Sequence, residues 1–442
     1  MLSREDNMLM CDVNPGTPMN AMMKRYWLPA IPTAAVGGPD GDPVHVTLLG
    51  EDYVVFRDSH GKIGFLNERC CHRGASLCLG RNEEGGLRCI YHGWKFDVEG
   101  TVMEMPNATE DKHRTRYRQP AYPVREAANV VWVYLGPAEH EPPFPNYPVF
   151  DLPSEHIVVQ EVYIDANYAQ VMEGLVDSSH VGVLHQDAIR SRVAATLEEG
   201  RDDIINKQMA DELAPRLELE DTDFGYNVAA LRTVEYKGNR FEIARTTAFA
   251  LPFINFPGSN TTMIAGVPER NGLTRMIEWN WDWQRPIPPE NREKVLYSHG
   301  ITDTILDARG MTRKTYGKVE RPNANNRYLQ DRDAMRHGSF TGLPLFHPED
   351  AAVSVSQGAI CDRSAQCLLP ADIAVVRMRR VLLNSVRRVM RGEAPLGVKS
   401  QQVPRALQGI VGPGEPWQQV FDHQANWTRS INEISKHLFD EV

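Results

Sequence analysis

Two cysteine–histidine pairs constrain this chain more than any other feature. Cys70-x-His72 lies in "CCHRGASL" and Cys89-x2-His92 in "CIYHGWKFD", each beside a glycine, Gly74 or Gly93. Two such loops can form facing fingers on a small β domain. Two thiolates and two imidazoles make four ligands. Thiolates stabilise one iron of a [2Fe–2S] cluster, and neutral imidazoles on the other lower the negative charge, raising the potential to roughly −150 to +300 mV. The same four donors suit tetrahedral zinc, although zinc fingers usually group Cys with Cys and His with His, and here the types interleave. Unrelated buried thiols are a further reading, a rarer one for two Cys–His pairs with adjacent glycines. Cys71 in place of Cys70 would adjoin His72 directly, where the two side chains hardly converge on one cluster from different iron sites.

The surrounding sequence fits a small β domain. "VHVTLLGEDYVVFRD", "GKIGFLN" and "NVVWVYLG" are short, apolar or β-branched runs bounded by turn residues, and they predict a small barrel or sandwich between about residues 40 and 136. Upstream, Thr17 and Pro18 predict an N-cap and first helical position, with a short helix to about Trp27. A proline-rich connector, "GPAEHEPPFPNYPVFDLP", stiffens the chain and places the domain boundary: 28–138 for the β domain, 139–442 for a larger domain, with 1–27 packing on the latter. The larger part predicts helices in "ANYAQVMEGLVDSSHVGVLH", "ADIAVVRMRRVLLNSVRRVMRG" and "WQQVFDHQANWTRSINEISKHLFD". It predicts long strands in "YNVAALRTVEY", "RFEIARTTAFALPF", "TTMIAGVPE" and "RMIEWNWDWQ", and a charged, poorly periodic stretch from about Asp187 to Asp223. The fold class is α+β, an antiparallel sheet covered by helices.

A second constellation sits in "EGLVDSSHVGVLH". Asp177 and His180 are three residues apart and share a helix face. His180 and His185, five apart, diverge by about 140° on an ideal helix, so both reach one metal only if the helix ends or bulges between them, a role to which Gly182 is suited. Two histidines and a carboxylate with open positions make the facial triad of non-haem iron(II) oxygenases.

Taken together, these motifs resemble the oxygenase component of the Rieske non-haem iron aromatic-ring oxygenases over nearly the full chain. The resemblance implies a Rieske domain whose [2Fe–2S] cluster is held by Cys70, His72, Cys89 and His92, and a helix-grip catalytic domain with one Fe(II). Cys71 stands where the family usually has proline. The family's pattern implies that His180 and His185 are iron ligands, while Asp177 bridges by hydrogen bonds to a cluster histidine across a subunit interface. The third iron ligand is an aspartate nearer the C-terminus. Asp362 and Asp372 are the candidates, and Asp372, at the mouth of an apolar-periodic helix, is favoured. The resemblance also implies a homotrimer or dimer of trimers, and a separate NAD(P)H-dependent flavin and iron–sulfur reductase. No Gly-x-Gly-x-x-Gly unit follows a strand here to make the chain its own reductase.

"NPGTPMNAMMKRYWLPA" and "YHGWKFDVEGTVMEMPN" are most similar to the phthalate dioxygenase-like branch, which implies an aromatic carboxylate substrate. A buried cation is then required. Alternation along "RFEIARTTAFALPF" places Arg245 on an otherwise apolar face, where a charge needs an anion. Arg232 is placed in the same way on the neighbouring strand. Both are candidates for bidentate carboxylate binding or for structural ion pairs, and Lys207 can contribute from a lid. Dihydroxylation, hydroxylation and O-demethylation all fit one such iron site. A Rieske electron carrier without catalysis and a zinc-stabilised binding module are alternatives of other classes. The net charge of −10 argues against a nucleic-acid partner. No apolar run approaches the roughly 20 residues that span a bilayer. Seven cysteines and an N-terminus without a basic region and apolar core predict a reducing, cytoplasmic setting.

Overall fold

The computed structural model describes residues 2–198, 204–236, 239–292, 323–343, 346–412 and 414–421. The chain divides into two compact units, one of Asp12–Pro145 with Val267–Arg270 and one of Met1–Cys11, Asn146–Gly266 and Asn271–Val442. The expected partition differs at both edges. Residues 12–27 belong with the small unit, and the boundary in the proline-rich connector falls between Pro145 and Asn146.

Helix α1 (Arg4–Cys11) opens the chain, and α2 (Pro18–Met23) follows. The Thr17 hydroxyl accepts the Asn20 N–H and Pro18 occupies the first turn, as the sequence predicts, but the helix stops at Met23. Trp27 already begins β1 (Trp27–Pro32), which α3 (Thr33–Val36) follows. The small unit contains β2 (Val44–Leu48), β3 (Glu51–Arg57), β4 (Ile63–Asn67), β5 (Arg81–Glu83), β6 (Gly86–Arg88), β7 (Lys95–Phe96), β8 (Val102–Glu104), β9 (Val124–Ala127) and β10 (Val130–Tyr134). They form three antiparallel sheets, ordered β1-β10-β9, β2-β3-β4 and β5-β6-β7-β8. The Leu49–Gly50 turn closes β2 onto β3 with positive φ at both residues, a hairpin geometry that matches strand twist. Val54, Phe56, Leu66, Leu77, Leu87, Trp94, Phe96 and Val102 form one core, which also takes in Cys70 and Cys89.

The larger unit is built on an eight-stranded sheet in the order β11-β17-β16-β15-β14-β13-β12, with β18 added on β14. Its strands are β11 (Ile157–Ile164), β12 (Arg216–Asp221), β13 (Gly225–Tyr236), β14 (Asn239–Ala250), β15 (Ile254–Pro257), β16 (Thr262–Arg270), β17 (Leu273–Trp281) and β18 (Gln408–Val411). β13 and β14 pair antiparallel over twelve residues each, with Ala230 opposite Arg245 and Arg232 opposite Ile243. Side chains alternate across this ribbon. Ala229, Leu231 and Ala244 bury one face against Leu407, Val411, Trp417 and Val420, which leaves the face with Arg232 and Arg245 for the site.

The helices are α4 (Tyr168–Val176), α5 (Val181–Leu184), α6 (Gln186–Glu198), α7 (Ile204–Asp211), α8 (Arg332–Arg336), α9 (Phe346–Ser356) and α10 (Ile373–Met390). The charged stretch expected between about Asp187 and Asp223 is regular where it is described, holding most of α6, all of α7 and strand β12. Of the helix expected at the C-terminus, Trp417–Phe421 is a single 3-10 turn, and the remainder lies outside the described residues. One buried ion network ties α1, α4 and α10 together. Arg363 is fully buried and forks onto Glu173 at 2.6 and 3.0 Å, Arg379 reaches the same carboxylate at 2.7 Å, and Asn7 accepts from Arg363 at 3.0 Å. Removing one member would strand a buried charge, at a cost of about 3–5 kcal/mol. Among the described residues, no helix is long and apolar enough to cross a membrane.

Candidate functional site: two metal centres

The two cysteine–histidine fingers share one backbone design. In the first, the Gly74 N–H donates to the Cys70 carbonyl at 2.8 Å and the Cys70 N–H to Ala75 at 2.9 Å. In the second, the Gly93 N–H donates to Cys89 at 3.0 Å and the Cys89 N–H to Trp94 at 2.8 Å. Both closing glycines have positive φ, +72° and +76°, which explains their presence. The fingers bring the four expected ligands together. Cys70 and Cys89 are buried in the core, and the His72 and His92 rings lie 4.5 Å apart by centroid. His72 stacks flat on Trp94, 4.5 Å away and 2° from parallel, while the Trp94 indole N–H donates to Asn107.

The donor set fits a [2Fe–2S] group. The His92 Nδ1 is buried and has no hydrogen-bond partner among the described residues, as expected of an atom reserved for a metal. His72 titrates below the usual histidine range because of burial, then the neighbouring His92 and Arg73, so it is a neutral ligand at pH 7. The Cys70 thiol is pushed up by its hydrogen bond with Cys71 and by burial, and Cys89 by burial. Thiols in that state become thiolates only against a metal charge. Cys71 itself is exposed. Its N–H donates to Gln119 Oε1 at 2.8 Å, and the Gln119 amide donates to the Asn67 and Arg69 carbonyls at 2.7 and 3.0 Å.

In the larger unit, α4 ends at Asp177, whose backbone is extended and whose Oδ1 accepts from the Ser179 N–H and hydroxyl at 2.8 and 2.7 Å. That local turn competes with the helix and breaks it. The chain then re-enters the one-turn α5, with His180 and His185 at its two ends. The break between the motif's first and second members, together with the turn of helix that follows, brings the histidines together, with ring centroids 5.2 Å apart. Gly182 has a different function from the expected bulge. A Cβ there would lie 2.4 Å from the Met209 carbonyl oxygen, so the glycine lets α5 pack directly on α7.

The carboxylate that meets these histidines is Asp350. One ligand atom from each of His180, His185 and Asp350 lies within 4.8 Å of the others, with Asp350 Oδ1 3.2 Å from His185 Nε2 and 3.7 Å from His180 Nε2. This corrects the sequence expectation of Asp372, and of Asp362 behind it. The Asp372 Oδ2 accepts the Leu369 N–H at 2.6 Å, closing a 3-10 turn ahead of α10. The Asp362 carboxylate caps Ser364 and lies 3.9 Å from Arg4 at the surface. Both carboxylates are used in local turns at helix starts. Asp350 lies in the first half of α9, where "HPEDAAVSVS" turns the apolar Ala351 into a core with Ile164, Val171, Ile264 and Met276. That buried alanine face was the available signal.

The site's electrostatics follow from its partners. Burial works to lower the His185 pKa, but hydrogen bonds with Asp350 and Glu349 outweigh it and carry the group up to about 9. For Asp350 burial pushes upward and the bond with His185 wins, holding it below the usual carboxylate range. Asp177 is likewise held low, its burial outweighed by hydrogen bonds with His180 and Ser179; its Oδ2 lies 3.4 Å from His180 Nδ1. Two histidines and one carboxylate on one side of a point are a donor set for a six-coordinate non-haem iron with open positions.

A cavity of about 440 Å³ opens on this triad, lined on its apolar side by Leu175, Val181, Ile189, Met209, Ile264 and Phe346, a size suited to a small ligand. Arg245 lines it, and Arg232 and Lys207 do not. The Arg245 guanidinium donates to the Pro257 carbonyl at 3.0 Å, Ser178 Oγ at 3.3 Å and Thr247 Oγ1 at 3.5 Å. It forms no ion pair among the described residues. Burial, then the repulsion of Arg232, lowers its pKa to about 10. Gly258, at φ +66°, leaves it room, since a Cβ there would lie 2.6 Å from the Arg245 Nε. Arg232 is structural instead: its Nε donates to the Glu212 carbonyl at 3.0 Å. Lys207 is exposed on α7, whose Asn206 and Met209 line the cavity.

Comparison with known proteins agrees with both centres. Residues 26–123 match the Rieske [2Fe-2S] domain, and residues 133–439 match the LigXa C-terminal domain like family. The phthalate 4,5-dioxygenase oxygenase subunit of Pseudomonas putida is 35% identical, covering 98% of each chain. The 3-chlorobenzoate-3,4-dioxygenase oxygenase subunit of Comamonas testosteroni is 32% identical over 96% of this chain and 99% of its own. The terminal oxygenase of carbazole 1,9a-dioxygenase from Nocardioides aromaticivorans IC177 shares the fold, with a TM-score of 0.56 at 18% identity over 84% of this chain and 97% of its own. The chain belongs to the Rieske non-haem iron oxygenases, as the oxygenase subunit of a multicomponent system. It is an oxidoreductase with a [2Fe–2S] cluster and a mononuclear iron.

Proposed function

We propose that this oxygenase subunit acts on an aromatic carboxylate, which Arg245 holds in the cavity beside an iron carried by His180, His185 and Asp350. The observation that carries the reading is Arg245 itself, a guanidinium lining the cavity with only neutral partners within hydrogen-bond reach. A buried cation with neutral partners favours an anion, and the planar fork of arginine suits a carboxylate. The relatives named for phthalate and 3-chlorobenzoate support the same substrate class.

When bound, the iron supplies the place where O₂ is activated with electrons that reach it through the cluster. The chain's own residues do the rest. Arg245 orients the ring by its carboxylate, and Leu175, Ile264, Met209 and Phe346 exclude water from the ring's apolar body. Asp177, whose Oδ2 lies 3.4 Å from His180 Nδ1, steadies that imidazole's orientation and in our reading bridges to a cluster histidine of a neighbouring copy, in a homotrimer or dimer of trimers. Ile90 and Tyr91, exposed at the tip of the second finger, suit coverage by such a neighbour. A separate flavin and iron–sulfur reductase drawing on NAD(P)H supplies the electrons.

The test mixes reduced protein with phthalate isomers, other benzoates and methoxylated benzoates and follows re-oxidation of the cluster. A carboxylate substrate should speed re-oxidation in the wild type, and Arg245→Gln should weaken its binding by about 2–5 kcal/mol while sparing a neutral amide analogue. Equal losses for acid and amide would remove the anion site. Asp177→Asn should retain both metals and slow re-oxidation of the cluster; an unchanged rate would remove the bridge.

A further inference from the structure

The carboxylate next to Asp350 in the chain has a separate task. Glu349 is almost fully buried, and its Oε2 accepts from the His185 Nδ1–H at 2.7 Å. Its other oxygen, Oε1, accepts from the Thr341 hydroxyl at 2.6 Å, so both carboxylate oxygens are fixed. The His185 ring is held from a second side by Phe346, 4.7 Å away by centroid. With Nδ1 committed to Glu349, Nε2 is the nitrogen that faces Asp350 Oδ1 at 3.2 Å.

The residues on either side of Glu349 explain why it does not move. Three residues before Asp350 in α9, His347 forms a buried hydrogen bond with Glu278 of β17 at 2.6 Å, anchoring the helix to the sheet. Thr341 belongs to a loop that is itself pinned, because the Ser339 hydroxyl and the Phe340 N–H both donate to Asp187 at 2.9 and 2.8 Å. Asp187 stands two residues beyond His185. The loop therefore clasps the histidine-bearing segment at one end and Glu349 at the other.

We propose that Glu349 is a positioning residue for the mononuclear iron: it fixes the tautomer and ring orientation of His185 and, as a carboxylate, raises the ring's basicity toward the metal, with Thr341 holding it in place. This rests on the reading of His180, His185 and Asp350 as the iron ligands. A carboxylate behind a metal-bound histidine contributes about 10–100-fold to metal affinity, and a charged acceptor makes a stronger hydrogen bond to the ring N–H than a neutral one.

The test uses the full-length protein with its cluster in place and the mononuclear site cleared of iron, titrated with Co(II), which needs no turnover to be read. Far-ultraviolet circular dichroism and a thermal melt of each variant report whether the unit carrying Glu349 is folded, and cluster absorption does so for the other unit. Glu349→Leu should weaken Co(II) binding by about 10–100-fold and shift its visible ligand-field bands. Glu349→Gln, which keeps an acceptor but not the charge, should fall between Leu and wild type. Should the Leu variant fail to fold, the Gln variant decides. Wild-type affinity and wild-type bands in a folded Gln variant, or in a folded Leu variant, would overturn the proposal. His185→Ala and Asp350→Ala separate the two layers of argument. If both lose Co(II) while the Glu349 variants keep it, only the positioning role fails; if both retain it, the iron-site assignment itself fails.

Discussion

At His185, Nδ1 is held by Glu349, and a proton and a metal compete for Nε2. In the metal-free protein its raised pKa, about 9, means that the ring is protonated at neutral pH and iron must displace a proton to bind. Apparent metal affinity should therefore rise close to tenfold per pH unit between about pH 6 and about pH 8, with roughly one proton released per metal, and level off above about 9. Co(II) titrations in weakly buffered solution check both; an affinity flat with pH would show that the ring is already neutral. The same shift acts on stability. Because the folded-state pKa lies above the ordinary 6.5, the metal-free protein gains stability that is fully present below that pH and lost as pH rises through about 9, worth about 3 kcal/mol at most.

Cys71 is the other residue whose surroundings change its meaning. The sequence suggests a thiol in place of a stiffening proline, and the structure shows a backbone N–H in use. Gln119, fully buried, accepts that N–H and ties the finger to the Asn67 and Arg69 carbonyls. Cys71→Pro removes the donor and strands a buried oxygen. The small unit should lose about 1–3 kcal/mol, whatever proline adds in rigidity. A thermal melt followed by cluster absorption checks the sign, and a higher midpoint for the variant would contradict it. The four residues that the fingers bring together stand out in the sequence because each finger is local. Gln119 was not, because nothing in the sequence spacing links it to Cys71.

At the scale of elements, α5 is where the site depends on close packing. Its single turn carries His180 and His185 at opposite ends, and Gly182 inside it lies on the α7 backbone. Gly182→Ala would place a methyl 2.4 Å from the Met209 carbonyl oxygen and 2.9 Å from Leu213 Cδ2. The α5 backbone cannot give way without moving a histidine at its ends. The substitution should cost about 1–3 kcal/mol and reduce mononuclear metal content while leaving cluster absorption intact; full metal occupancy in the variant would show that α5 can shift freely. The sequence located the histidines but gave the glycine the wrong reason, because a glycine's role in close approach depends on an element it cannot name. The same limit governs the third ligand. His180 and His185 lie close together in one motif that the family resemblance picks out, whereas Asp350 arrives on α9 from far along the chain, and no spacing rule selects it over Asp362 or Asp372. Alternation likewise placed Arg232 and Arg245 each on an apolar face of its own strand, but only the structure distinguishes the one that lines the cavity from the one that holds the Glu212 carbonyl.

For the whole molecule, the ligand set proposed for each metal centre comes from a single compact unit. Cys70, His72, Cys89 and His92 lie within Asp12–Pro145, while His180, His185 and Asp350 lie within the other unit. Neither donor set borrows a residue from the other, so the two centres should be lost independently. The intact protein should carry about three irons per chain, about two in the cluster and about one outside it. Asp350→Ala should bring the count to about two with the brown cluster spectrum unchanged. His92→Ala removes a proposed ligand whose Nδ1 has no hydrogen-bond partner among the described residues and should abolish the cluster spectrum, leaving about one iron. Asp372→Ala, whose carboxylate closes only its own turn, should retain about three. Metal analysis beside the visible spectrum distinguishes these cases. Loss of iron from the Asp372 variant with retention in the Asp350 variant would reverse the assignment made from the geometry. Loss of both centres from any one variant would show that the two units do not hold their metals separately.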